Sequence, residues 1–251
     1  MTMNIAYINL EDYDGSSEKT NHIVNLVNRY DVVFLSEVLS GGADVLSDII
    51  DRNEWHALKS AFAYTHQLFA LSKSFKLMPH ANAIRVDAPQ WEASSSMMDR
   101  FLSVKVKGCV LVAVHFKSSK GTRTPTFVNE QRQRAMSTFR ISKLIHISTS
   151  PVVVFGDFNS RHNENGVLEL FRGTSGLHPV KFTNHSNDID HVFRNEYATL
   201  NHATITPQNY SDHPLISFVI HIHPTTVRQY VKKRSSKGRS LQDLLNSRPE
   251  T

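Results

Sequence analysis

Several polar side chains in this sequence stand where apolar strand patterns end, and their types suit proton transfer and oxyanion chemistry. Asn9 closes one such run, Glu37 another, and His115 ends the stretch that begins at Cys109. In Pro151-Val-Val-Val-Phe-Gly-Asp-Phe-Asn159 the run closes on a carboxylate and an amide. Strand alternation puts Asp157 and Asn159 on one side, and Gly156 lets another group approach the backbone. Side by side, the first accepts a proton and the second donates to an oxyanion. Asp and Asn after a strand are also ordinary turn formers. Asp190, set between Ile189 and Val192, is costly to bury without a partner. His213 in Tyr210-Ser-Asp-His-Pro214 is the natural candidate, because a carboxylate fixes a histidine's tautomer and raises its pKa. Glu37 poses the same problem, which a divalent cation would resolve. Hard oxygen donors such as Glu37, Asp212 and Asn9 suit Mg2+ or Mn2+ better than Zn2+. Cys109 is the single cysteine, so neither an internal disulfide nor a cysteine-rich metal site is available, and it reads as a buried thiol.

These residues need elements to hold them. Residues 4–9 read as a strand followed by an acidic loop, and residues 17–30 as an amphipathic helix with Ile23, Leu26, Val27 and Tyr30 on one face. Residues 31–38 form an almost wholly apolar strand, the pattern of a central position buried on both faces. A helix is expected over 41–53 and a long one over 127–147, with a short one at 166–171. Strands are expected at 67–72, 101–107, 109–116, 151–155, 189–193, 198–204 and 215–222, with a tight connection at Lys107 and Gly108. Mixed α/β order with several hairpin-like neighbours favours a two-sheet core covered by helices.

The 251 residues are 40% apolar and 20% charged, an ordinary globular mixture that excludes fibrous and wholly disordered classes. No apolar run reaches membrane-spanning length, and the acidic start does not read as a signal peptide. A soluble, cytoplasmic and monomeric protein is expected. The formal charge of +5 is unevenly placed: residues 228–251 hold seven Lys/Arg against two Asp/Glu, leaving residues 1–227 neutral. Residues 1–223 therefore read as one catalytic domain and 224–251 as a basic appendage with a short helix near 240–246. The appendage either contacts nucleic acid or is simply solvated.

In chain order, Ile5-Ala-Tyr-Ile-Asn9, Val33-Phe-Leu-Ser-Glu-Val38, Val112-Ala-Val-His-Phe-Lys-Ser118, Gly156-Asp-Phe-Asn159, Ile189-Asp-His-Val-Phe193 and Ser211-Asp-His213 resemble the motifs of the endonuclease/exonuclease/phosphatase superfamily, whose fold is DNase I-like. The resemblance implies a four-layer α/β sandwich, two mixed central β-sheets flanked by helices, with a metal-dependent phosphoester hydrolase site at one edge. It implies Glu37 as the principal Mg2+ ligand, Asn9 beside it and Asp212 as a further acidic ligand. Asp157 would activate or orient the attacking water and Asn159 would bind phosphate oxygens. His213, paired to Asp190, would be general base or transition-state stabiliser, and His115 would serve the leaving group. Two departures stand out. The family pairs its second histidine with a glutamate, where this chain has His66 and Gln67, and Ile8 replaces a common tryptophan.

Arg100, Lys117, Lys120 and Arg123, with Arg132 and Arg134, are candidate phosphate contacts or merely solvated cations. Three functions follow: a Mg2+-dependent deoxyribonuclease, a phosphomonoesterase for a small substrate such as a nucleoside monophosphate, and an inactive binding module. The complete set of matched ligands and histidines speaks against the last. The neutral body speaks for a small substrate, since nucleases normally present a basic face.

Overall fold

Period-two alternation sorts the strand residues into two sets, and the fold buries both. The computed structural model describes residues 1–61, 66–81, 83–87, 100–116, 125–146, 148, 150–160, 168, 173, 176–182 and 189–222. The chain opens with β1 (Thr2–Tyr13), α1 (Ser17–Arg29), β2 (Val32–Val38), α2 (Ser40–Asn53), β3 (His56–Ser60) and β4 (Gln67–Ser72). Two short strands, β5 (Met78–Pro79) and β6 (Ala83–Arg85), precede the hairpin of β7 (Phe101–Val106) and β8 (Cys109–His115). Helix α3 (Pro125–His146) leads to β9 (Val152–Asp157), followed by β10 (His178–Pro179), β11 (Asp190–Arg194), β12 (Thr199–Thr206) and β13 (Leu215–His221).

Among the described residues the strands form a seven-stranded sheet, ordered β12-β13-β1-β2-β4-β3-β6, and a six-stranded sheet, ordered β10-β11-β9-β8-β7-β5. Both are mixed, with β1 parallel to β2 in the first and β8 parallel to β9 in the second. One set of side chains, including Ile5, Tyr7, Phe34, Leu111, Ala113, Val153 and Phe155, fills the space between the sheets. The alternate set in the first sheet packs under α1 and α2, and in the second under Ile141 and Ile145 of α3. Helices, sheet, sheet and helix make the four layers. Phe155 meets Tyr7, Phe34 and Phe218 edge to face, at centroid distances of 6.1, 4.9 and 5.1 Å. Each such pair adds about 1 kcal/mol beyond its burial, tying the two sheets together.

One expectation changes, and four short strands were not anticipated. The segment after Asn9 is not an acidic loop: β1 continues to Tyr13, with a register shift against β2 between Asn9 and Tyr13. The strands β3, β5, β6 and β10 carry too few alternating residues to be read from pattern. The short helix expected at 166–171 falls mostly outside the described residues, as do 117–124 and the appendage at 224–251. Where the tight connection was expected, Lys107 and Gly108 both have positive φ, at 50° and 80°. Cys109 is buried and unpaired. Among the described residues no helix is long and apolar enough to cross a membrane.

Candidate active site

Parallel pairing brings like ends together, so the C-terminal ends of β1, β2, β8 and β9 meet at one edge of the sandwich. The inward row of β8 runs Leu111, Ala113, His115, and that of β9 runs Val153, Phe155, Asp157, so the apolar core turns polar at its last position. His115 and Asp157 are register partners, and Asp157 is also the partner of Asp190 on β11. Three adjacent strands thus present His115, Asp157 and Asp190 in one lateral row.

Glu37 reaches the same place by breaking alternation. Val33 and Leu35 face the helices, and Glu37 would follow them outward. Its φ of 56° is left-handed, a conformation side chains seldom adopt, and it turns the carboxylate toward the gap. Asn9 Nδ2 donates to Glu37 Oε1 at 2.9 Å, and the Asp12 amide donates to Oε2 at 3.3 Å. His115 Nε2 lies 3.1 Å from Glu37 Oε1 and 3.9 Å from Asp157 Oδ2. Glu37 therefore supplies a carboxylate neighbour to the histidine that lacks the family's glutamate. Burial alone would raise the Glu37 pKa, but His115 and Asn9 override it and hold it at about 2.

Asp157 is buried, and its pKa is pushed up by that burial and by the Asp190 carboxylate, against the pull of His115 and His213. Asn159 folds back on it rather than standing beside it in extended chain. With φ of 47°, the Asn159 amide donates to Asp157 Oδ1 at 2.7 Å, and Nδ2 donates to Asp157 Oδ2 at 2.8 Å and to Phe116 O at 2.7 Å. The turn and the functional arrangement are one structure. Both amide hydrogens of Asn159 are engaged within the chain, which makes it the residue that positions Asp157.

Opposite, His213 Nδ1 sits 3.2 Å from Asp190 Oδ2, while Nε2 looks into the gap, 3.8 Å from Asp157 Oδ2. Burial would lower its pKa, but Asp190, Asp157 and Asp212 outweigh that and raise it to about 9. Among the described residues, Glu37, His115 and Asp157 each offer a ligand atom, all within 4.8 Å of one another. That group shares only Glu37 with the triple of Asn9, Glu37 and Asp212. The Asp212 side chain is 74% exposed at the rim, with Oδ1 3.6 Å from His213 Nε2.

A model of the endonuclease/exonuclease/phosphatase family matches residues 1–213. The chain belongs to that family of phosphoester hydrolases. Among curated proteins none matches the sequence. Solved structures share the fold at low identity. The 3' phosphatase NExo from Neisseria, bound to a product DNA hairpin, is 14% identical with a TM-score of 0.61, covering 88% of this chain and 100% of that one. Truncated TDP2 from Caenorhabditis elegans is 18% identical with a TM-score of 0.58, covering 88% of this chain and 98% of that one. Beta toxin from Staphylococcus aureus is 13% identical with a TM-score of 0.58, covering 86% of this chain and 99% of that one.

The candidate substrate contacts fare unevenly. Arg100 is half-buried before β7, and its carbonyl accepts the His115 amide at 3.1 Å. Lys117, Lys120 and Arg123 lie outside the described residues. Arg134 is not a surface cation: it is buried at 3% exposure and donates to Ser160 Oγ at 3.1 Å, just beyond Asn159. Sequence reasoning missed Tyr7. Its hydroxyl crosses between the sheets, shares a hydrogen bond with Ser36 Oγ at 2.9 Å and accepts the Asp157 amide at 3.2 Å. A tyrosine in the inward row just before Asn9 is the signal that was available.

Proposed function

We propose that the chain is a Mg2+-dependent deoxyribonuclease that hydrolyses phosphodiester bonds by in-line attack of water. The observation that carries this is the facing pair of clusters, Glu37 with His115 and Asp157 on one side and His213 with Asp190 on the other. Their donor chemistry fits a hard divalent cation: two carboxylates converge beside a histidine, and Glu37 stays ionised far below neutral pH. Glu37 would hold Mg2+, with Mn2+ able to substitute, Asn9 orienting it and Asp212 available from the rim. A bound cation there supplies Lewis-acid charge to the phosphoryl oxygens.

The protein's own groups divide the remaining work. Asp157, whose pKa is raised, takes the proton of the attacking water, held in place by Asn159 and by the Tyr7 hydroxyl. His213 is an imidazolium at neutral pH because of Asp190, and its Nε2–H stabilises charge growing on the phosphate. His115 serves the leaving oxygen. The DNA hairpin carried by NExo supports a DNA substrate for the same fold. A phosphomonoesterase is the second reading, favoured by the neutral charge of residues 1–227. Side-by-side assays with Mg2+ separate them: cleavage of plasmid and single-stranded DNA is expected, whereas phosphate release from nucleoside monophosphates without DNA cleavage would favour the second.

A further inference from the structure

Opposite the single residue Glu37, β1 inserts Leu10, Glu11 and Asp12 between the paired positions Asn9 and Tyr13. Glu11 and Asp12 are both left-handed, with φ of 48° and 58°, and neither is glycine. The consequence is that two successive amides point at the metal-site residues. The Glu11 amide donates to Asn9 Oδ1 at 3.1 Å, and the Asp12 amide donates to Glu37 Oε2 at 3.3 Å. A conformation this unfavourable persists only where neighbours hold it. Two side chains from other elements do so. Lys19 Nζ, from the first turns of α1, donates to both Leu10 O and Glu11 O at 2.7 Å. His66 Nε2, just before β4, lies 2.6 Å from Asp12 Oδ1, and its ring packs edge-on to His115 at 6.4 Å.

We infer that Lys19 and His66 are positioning residues that clamp this bulge so that its amides, one through Asn9 and one directly, aim Glu37 at the cation. Neither contacts the reacting atoms. Lys19 acts through two carbonyls whose charge-assisted bonds fix the peptide planes, and each fixed plane sets the direction of the next amide. His66 acts through the Asp12 carboxylate. The inference rests on the metal-dependent reading of the site. Groups that orient a metal's direct ligands commonly govern affinity about 10–100-fold.

The test is Mn2+ binding by calorimetry, with thermal unfolding measured without metal and amide hydrogen exchange followed at Glu11 and Asp12. Lys19→Met is expected to bind Mn2+ at least about tenfold more weakly and to exchange faster at both amides. Lys19→Arg should retain most of the affinity. A purely structural lysine would shift the unfolding midpoint and leave Mn2+ affinity intact, and that result overturns the clamp. His66→Gln, at a partly exposed position, should weaken Mn2+ binding in the same direction if Lys19→Met fails to fold, and unchanged binding there overturns the clamp equally. A wild-type chain that takes up no Mn2+ overturns the metal reading and the clamp with it. Wild-type uptake matched by Lys19→Met overturns the clamp alone.

Discussion

Asp157 and His213 face each other across 3.8 Å with their proton affinities moved to serve opposite tasks. Burial and Asp190 make the carboxylate a stronger base than a free aspartate, and the aspartates around His213 keep the imidazole charged. Replacing Asp157 by Asn should lower kcat by about a hundredfold to ten-thousandfold, the range for a lost proton acceptor, while the unfolding midpoint holds or rises. Steady-state kinetics beside calorimetry checks this, and retained turnover would contradict it. The sign for His213 follows from its raised pKa: it is the cation below about pH 9 and is lost above it. Activity should therefore fall on the alkaline side near pH 9. In Asp190→Asn that limb should move down toward the ordinary histidine value of 6.5. A pH–rate profile with an unmoved limb would remove Asp190 from this role.

Elements decide whether those residues meet at all. Gly156 has φ of 126°, and a Cβ there would lie 2.3 Å from Val114 O and 3.1 Å from the Tyr7 ring. Gly156→Ala should cost about 2–4 kcal/mol, from the backbone conformation and the overlap together. Urea unfolding measures it, and an unchanged midpoint would mean that β8 and β9 separate at little cost. Strand ends at His115 and Asp157 were legible because an apolar alternation stops there at a polar residue. The approach of His213 to Asp190 was legible from the cost of burying a carboxylate. The inward turn of Glu37 was not, since alternation points it the other way and its own left-handed backbone, opposite the bulge in β1, reverses it. Nor was the burial of Arg134, because a cation within a helix looks the same in sequence whether it meets water or Ser160.

At the scale of the molecule, charge and chemistry are separated along the chain. The neutral span from 1 to 227 holds every candidate catalytic residue, and the basic surplus lies in 228–251. Removing 228–251 should weaken DNA binding and flatten its dependence on salt, because fewer counterions are released, while hydrolysis of a small phosphodiester stays unchanged. A salt series with identical slopes for the two forms would make the appendage a bystander. The two-sheet fold was legible from the order of strands and helices, since the longest patterns fix both sheets. The short strands β5, β6 and β10 were not, because two or three residues carry no period. The whole mechanism turns on one requirement, that the cluster around Glu37 and Asp157 works with a divalent cation. Its most direct test is plasmid cleavage by the wild-type chain in excess EDTA and again after Mg2+ is restored. No cleavage is expected in chelator, with recovery on adding Mg2+, and full activity in EDTA would show that the cluster works without a cation.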